Sequence, residues 1–416
     1  MKNILPTYRR PFKSTEEPSV HVKYWDEAKE AYDDKAYKKS LIAVINYLNI
    51  HVLEGVDLEG DISFVQMHGS AEINVKITET TFSVKVPFLK IAEETNVVAL
   101  LRKVAEVNFS RFDLAQISLD GDKLTILYET PLALCQPFKI YTLLREVSFR
   151  ADEFDDEFIE NYGAVFYKEP KKRELTEEEK ERAWLQIDGI LQDYEHYSTY
   201  FKEKQRDGYQ WDIGVISLLK IANMPYVNGV LRHELMEQIE LMFDGDKEFN
   251  YRVEKGRNYL KKLSKKSKNE ILSNLYHTEQ FISMLWRSSA EIIEEKLEKN
   301  HSTVEKYDKD EKAFAASYYL QSLFLKLIYN YNLEENYKAT IEHVLEETSG
   351  VTVEEAAPKL LKVYYAMYNK TLNENIDQFL PEKHQEEEST WSKISTYLSY
   401  IAIAYLVYKY LIKGAM

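Results

Sequence analysis

The sequence predicts an α+β domain, an antiparallel sheet with helices packed on it, followed by an all-α domain. Three observations carry this. Two-residue alternation of apolar and polar side chains is confined to the stretch before Pro131. The alternating runs come in hairpin pairs, not one by one between helices. After Thr176 helical spacing meets no competing strand pattern. Only 13 glycines and 10 prolines in 416 residues fit long helices better than a turn-rich sandwich.

Residues 1–23 hold Pro6, Pro11 and Pro18 among polar residues, the pattern of an extended arm. A helical pattern then runs from Tyr24 to about Asn49 with a break at Asp33-Asp34. Within it Leu41, Val44, Ile45 and Leu48 form one apolar face. Ile62–Met67, Ala71–Thr78 and Thr81–Val86 follow as strands, because Ile73, Val75 and Ile77, then Phe82, Val84 and Val86, alternate with polar residues. Glu79-Thr80 is short enough for a hairpin turn. From Asn96, a fitting N-cap, Val97, Leu100, Leu101, Val104 and Val107 restore a helical face. Leu114–Leu119 and Asp122–Glu129 flank Asp120-Gly121, the best hairpin signal in the chain, since glycine takes the required positive φ readily. A long helical segment from Leu132 to Tyr162 closes the region at Gly163.

This order, with the segments Ala71–Phe88, Val97–Arg111, Leu114–Glu129 and Pro131–Tyr162, resembles the type III secretion chaperone-like fold, including YbjN-like proteins. The resemblance covers residues 24–165. It implies a twisted antiparallel sheet with helices against one face, frequent dimerisation, and binding of protein segments instead of catalysis. The long C-terminal extension departs from the small chaperones.

Residues 166–174 are charged and read as a linker. Thr176 and Glu179 form a capping box that opens the all-α domain, 175–416. Its helices are expected over Trp211–Asn223, Val227–Phe243, Lys247–Lys262, Asn269–Lys299, Lys309–Asn332, Asn336–Glu347, Val353–Asn369 and Ser392–Ile412.

Lys and Arg total 54 against 69 Asp and Glu, so the formal charge of −15 repels polyanions and disfavours nucleic acid. A single cysteine, Cys135, excludes an intramolecular disulfide and a multi-thiolate zinc site. The first ten residues lack the apolar core of a secretory signal, so a cytoplasmic setting is the expectation. G-x-G-x-x-G, Walker A and G-x-S-x-G motifs are absent, and no two of the nine histidines lie three or four residues apart. No cofactor or metal is expected.

Three segments carry local chemistry. Asp152–Glu157 packs five carboxylates into six positions; its bland reading is a solvated helix face with Phe154, Phe158 and Ile159 inward, its sharp one metal binding or an acid–base pair with one raised pKa. The basic run containing Arg257, Lys261, Lys262, Lys265 and Lys266 is an anion or partner patch, a partner within the chain for Asp152–Glu157, or else cations favoured near a helix C-terminus. The uncharged run Ile394–Tyr408 is shorter than the roughly 20 residues of a spanning helix and reads as a buried helix or a membrane contact.

The leading expectation is therefore a non-enzymatic protein-binding, adaptor or chaperone-like protein with a protein partner, a second copy of the chain among the candidates. Two alternatives stand beside it. One is a motif-poor enzyme using Asp155, Glu157 or His196. The other is a membrane-peripheral protein using Trp391–Ile412 and Lys261–Lys268.

Overall fold

The structure, a computed structural model, describes residues 4–14 and 17–380. The chain divides into two compact units, one of Arg9–Ile293 with Leu325–Glu334, the other of the remaining residues, among them Glu294–Phe324.

The first unit contains the expected α+β layer. Helices α1 (Tyr24–Asp33) and α2 (Tyr37–Leu48) are parted at Lys35, which takes a φ of 59°. Strands β1 (Ile62–His68), β2 (Ala71–Ile77), β3 (Thr81–Lys90), β4 (Gln116–Asp120) and β5 (Lys123–Pro131) pair in the order β1-β2-β3-β5-β4, every neighbour antiparallel. Thr78 replaces the missing turn glycine: its Oγ1 accepts from the amides of Thr80 and Thr81 at 3.2 and 2.9 Å. Gly121 supplies the other hairpin with a φ of 66°. The β3–β5 register shifts between Pro87 and Leu89, where proline lacks the N–H that an unbroken ladder needs.

Helix α3 (Val97–Ser110) is capped by Asn96, whose side chain accepts from the Ala99 amide. Helix α4 (Pro137–Tyr162) starts with a proline at its first turn and ends at Gly163 in the left-handed region. Ile73, Val75, Phe82, Val84, Val86, Leu124 and Ile126 from the strands, Leu41, Val44 and Ile45 from α2, and Leu143, Leu144 and Val147 from α4 join in one buried core. The α+β class read from the alternation is what the chain adopts.

Helices follow: α5 (Glu177–Glu203), α6 (Asp207–Ala222), α7 (Gly229–Phe243), α8 (Phe249–Leu263) and α9 (Lys268–Leu272). The Thr176 capping box is present in full. Helix α6 is buried continuously from Ile213 to Ala222, so it is covered on all sides.

Two local expectations are corrected. The segment 166–174 carries short strands: β6 (Val165–Phe166) pairs with β3, and β7 (Lys172–Glu174) pairs with β8 (Tyr276–Thr278). Its side chains from Lys171 to Glu174 stay exposed while the backbone pairs, so hydropathy gave no sign of the strand. The helix expected over Asn269–Lys299 is broken, and helix resumes only at α10 (Ala290–Lys309). Arg145 explains part of the break: its guanidinium donates to the carbonyls of Ser283, Met284 and Leu285 at 2.8, 2.7 and 3.2 Å, drawing away acceptors that a helix would use.

Helix α11 (Ala313–Asn330), like α10, supplies residues to both units; α12 (Glu335–Glu347) and α13 (Val353–Tyr368) belong to the second. There Tyr364, Tyr365 and Tyr368 on α13 donate to Leu297 O, Asp308 and Glu298 on α10, and Tyr368 stacks on His301 at 3.8 Å. Within the stretch read as an arm, Leu5 and Tyr8 are buried. The expected helix Ser392–Ile412 lies outside the described residues.

Candidate functional site

The acidic run lies on α4, and its two readings divide residue by residue. Phe154 and Phe158 are buried, as the solvated-face reading requires, and Glu157 pairs with Lys103 at 3.4 Å. Asp155 does the opposite. It is buried and accepts a hydrogen bond from the Ser70 hydroxyl. The helical period accounts for this, because Asp155 completes the stripe Ala151, Asp155, Phe158 at spacings of four and three.

The β1–β2 turn runs along α4 so that successive residues meet successive turns. His68 sets its ring edge-on to Phe149, with centroids 4.9 Å apart and planes at 87°. Gly69, at a φ of 58°, lies where a Cβ would run into the Asp152 carboxylate. Ser70 reaches Asp155. Glycine is required at the middle position on both counts.

Electrostatics at this turn are unusual. Burial, then the nearby Asp152 carboxylate, push the Asp155 carboxyl up, against the pull of the Ser70 hydroxyl. Asp152 keeps contact with solvent, yet the surrounding protein raises it as well, opposed by the Arg232 and Lys172 charges. His68 is 4 % exposed, its Nδ1 has no hydrogen-bond partner, and burial with the fields of Arg232 and Arg145 pushes its pKa down to about 3. It is therefore neutral at physiological pH. A carboxyl held protonated, a carboxylate open to water, a cation and a neutral imidazole thus share one region of the first unit. Chemically they can hold a proton and a fixed dipole. Among the described residues no three His, Cys, Asp or Glu side chains converge to hold a metal ion.

The other candidates scatter. Arg257 lies on α8 and faces Glu254 at 3.7 Å, Lys266 faces Glu234 at 3.6 Å, and Lys268 pairs with Glu181. Lys261 and Lys262 occupy the last turn of α8, exposed, where the helix dipole favours cations, and Lys265 is exposed just beyond. His196 and Glu195 are exposed on α5, apart from the acid pair in sequence and setting. Sequence reasoning missed His68 and Arg232. The alternation of β1 and β2 around His68-Gly69-Ser70 signalled a turn but not its chemistry.

A second surface lies on α3. Leu100, Val104 and Val107 face the core, while Val98, Arg102, Ala105 and Phe109 follow one another at spacings of four, three and four along the opposite side. All four are exposed, Val98 by 64 % and Phe109 by 93 %. Asn108 fixes this helix beside β4, its side chain bonded to both the N–H and the C=O of Ile117 at 2.7 and 2.8 Å. Exposed Leu119 lies two residues along the same face of β4. The loop between them is held from α4, where the Glu146 carboxylate accepts from the amides of Asp113, Leu114 and Ala115.

Comparison with known proteins returns no matching family model and no matching curated protein. Among the described residues no helix is long and apolar enough to cross a membrane.

Proposed function

We propose that this chain is a non-enzymatic protein-binding protein, adaptor or chaperone-like in role, acting in the cytoplasm through the outer face of α3. One observation carries the reading: the exposed apolar stripe Val98, Ala105 and Phe109 at coiled-coil spacing. A phenylalanine left almost wholly in water forgoes a large burial term, and a valine three turns back on the same face forgoes another. Two anchors with a small residue between them fit the groove-and-ridge surface of an amphipathic helix from a protein partner, and Arg102 and Glu106 supply a charged rim of both signs. The element order that resembles the chaperone-like fold stands behind the same reading.

The test is site-specific photo-cross-linking in cells of origin. A photoreactive residue at position 109 is expected to give a discrete adduct that disappears when Val98→Asp is added. The same residue at Glu79, on the exposed β2–β3 turn, is expected to give none. Equal labelling from both positions, or no adduct from 109, overturns the proposal.

A further inference from the structure

Residues Arg9–Ser14 belong to the first unit and run as irregular chain around Pro11, which favours extended backbone. Irregular as it is, this stretch is seated at several points. Phe12 stacks on Tyr226 with ring centroids 4.0 Å apart and planes 14° from parallel. Ser14 is buried, its Oγ 2.7 Å from Nδ1 of His277. Gln186 joins the two sides: its Nε2 donates to the Arg10 carbonyl at 2.9 Å, and its Oε1 accepts from the Tyr226 hydroxyl at 2.8 Å. Three residues past Ser14, Glu17 adds a negative field at Arg232. Lys13, between the two seated side chains, faces water.

The receiving wall is built from elements that hold one another. His277 belongs to β8, paired with β7, and is only 1 % exposed; its Nε2 lies 3.5 Å from Glu179, itself locked in the capping box of α5. The Tyr226 carbonyl accepts from the Tyr276 amide at 2.9 Å, and Val227 bridges Leu275. Both groove rings are therefore fixed by backbone bonds. The segment lying on them makes a ring stack and hydrogen bonds, interactions of modest strength that a competing chain can replace one for one. A rigid wall reading alternate side chains of an extended chain is how peptide sites work, because little order has to be created on binding.

We propose that this groove recognises an extended segment of a partner protein, and that residues 10–14 fill it in cis as a built-in competitor. The recognised pattern is an aromatic residue with a serine or threonine two positions on. Tyr226 takes the ring and His277 the hydroxyl, with Gln186 holding the backbone. The site is separate from the α3 face and stands or falls without it.

Fluorescence anisotropy with the full chain and a labelled peptide of residues 8–19 tests this. Wild type should bind the peptide weakly. A Phe12→Ala, Ser14→Ala double variant should bind it at least ten-fold more tightly, because its own segment competes less. The peptide carrying the same two replacements should not bind either protein. Should the double variant lose its fold by circular dichroism, Phe12→Leu, which keeps the bulk and loses the stack, should still give a three-fold gain. No gain in a folded variant, or undiminished binding of the altered peptide, overturns the proposal. A wild-type dimer by light scattering that dissolves in the variant also overturns it, since the segment would then be exchanged between copies.

Discussion

Replacing His68 by Phe tests the electrostatic account of the β1–β2 turn most directly. An unfolded chain protonates histidine near 6.5, whereas the folded chain holds His68 down at about 3, because its cation would be buried among the fields of Arg232 and Arg145. A base whose pKa falls on folding supports the native state fully above 6.5 and loses that support as pH drops towards 3. At about 1.4 kcal/mol per pH unit, this one group removes about 2 kcal/mol between pH 6.5 and 5. By pH 3 the loss reaches about 5 kcal/mol. Phe keeps the edge-on contact with Phe149 and removes the orphaned Nδ1, so at pH 7 the variant should equal or exceed wild type by about 1 kcal/mol. Urea unfolding of both proteins from pH 7.5 to 4 gives the difference directly, and groups common to both cancel. The variant should gain on wild type by close to one proton's slope below pH 6.5. Parallel stability curves, or a native His68 NMR titration with its midpoint above pH 5, would refute the reasoning.

Two further outcomes concern the same turn and a third the loop held by Glu146. Asp155→Asn keeps an acceptor for Ser70 and removes a carboxyl whose pKa folding raises. Stability that wild type loses as pH climbs from the ordinary carboxylate range through the raised pKa should be retained, so the melting-temperature gain of the variant should grow from pH 4 to 8; a constant offset would contradict it. Gly69→Ala forces a side chain to a φ of 58° and displaces the Asp152 carboxylate, and should cost about 2 kcal/mol in urea unfolding; a neutral result would mean that the turn is not pressed on α4. Glu146→Ala strands the amides of Asp113, Leu114 and Ala115, and should cost about 2–4 kcal/mol while speeding their hydrogen exchange well beyond that of β5.

What the sequence disclosed and what it withheld divide along a physical line. Features set by neighbours in sequence could be read: the alternation of Ile73, Val75 and Ile77, the positive φ at Gly121, the Asn96 cap and the Thr176 capping box each depend on residues within one turn or one strand. Features set by distant partners could not. Asp155 looks like one more member of a solvated acidic run until Ser70, 85 residues earlier, is placed against it. Even so, its position on the Ala151–Phe158 stripe was a local sign that it faces inward. The strand at Lys172–Glu174 has no such sign, since its side chains are charged and only its backbone is engaged, by residues more than 100 positions away. Phe109 is the converse case. Helical spacing places it opposite Leu100, Val104 and Val107, so its exposure follows from the same period that buries them. An apolar residue that the core-facing period assigns to water is informative for that reason: folding the chain does not require it there, whereas binding a partner gives it something to cover it.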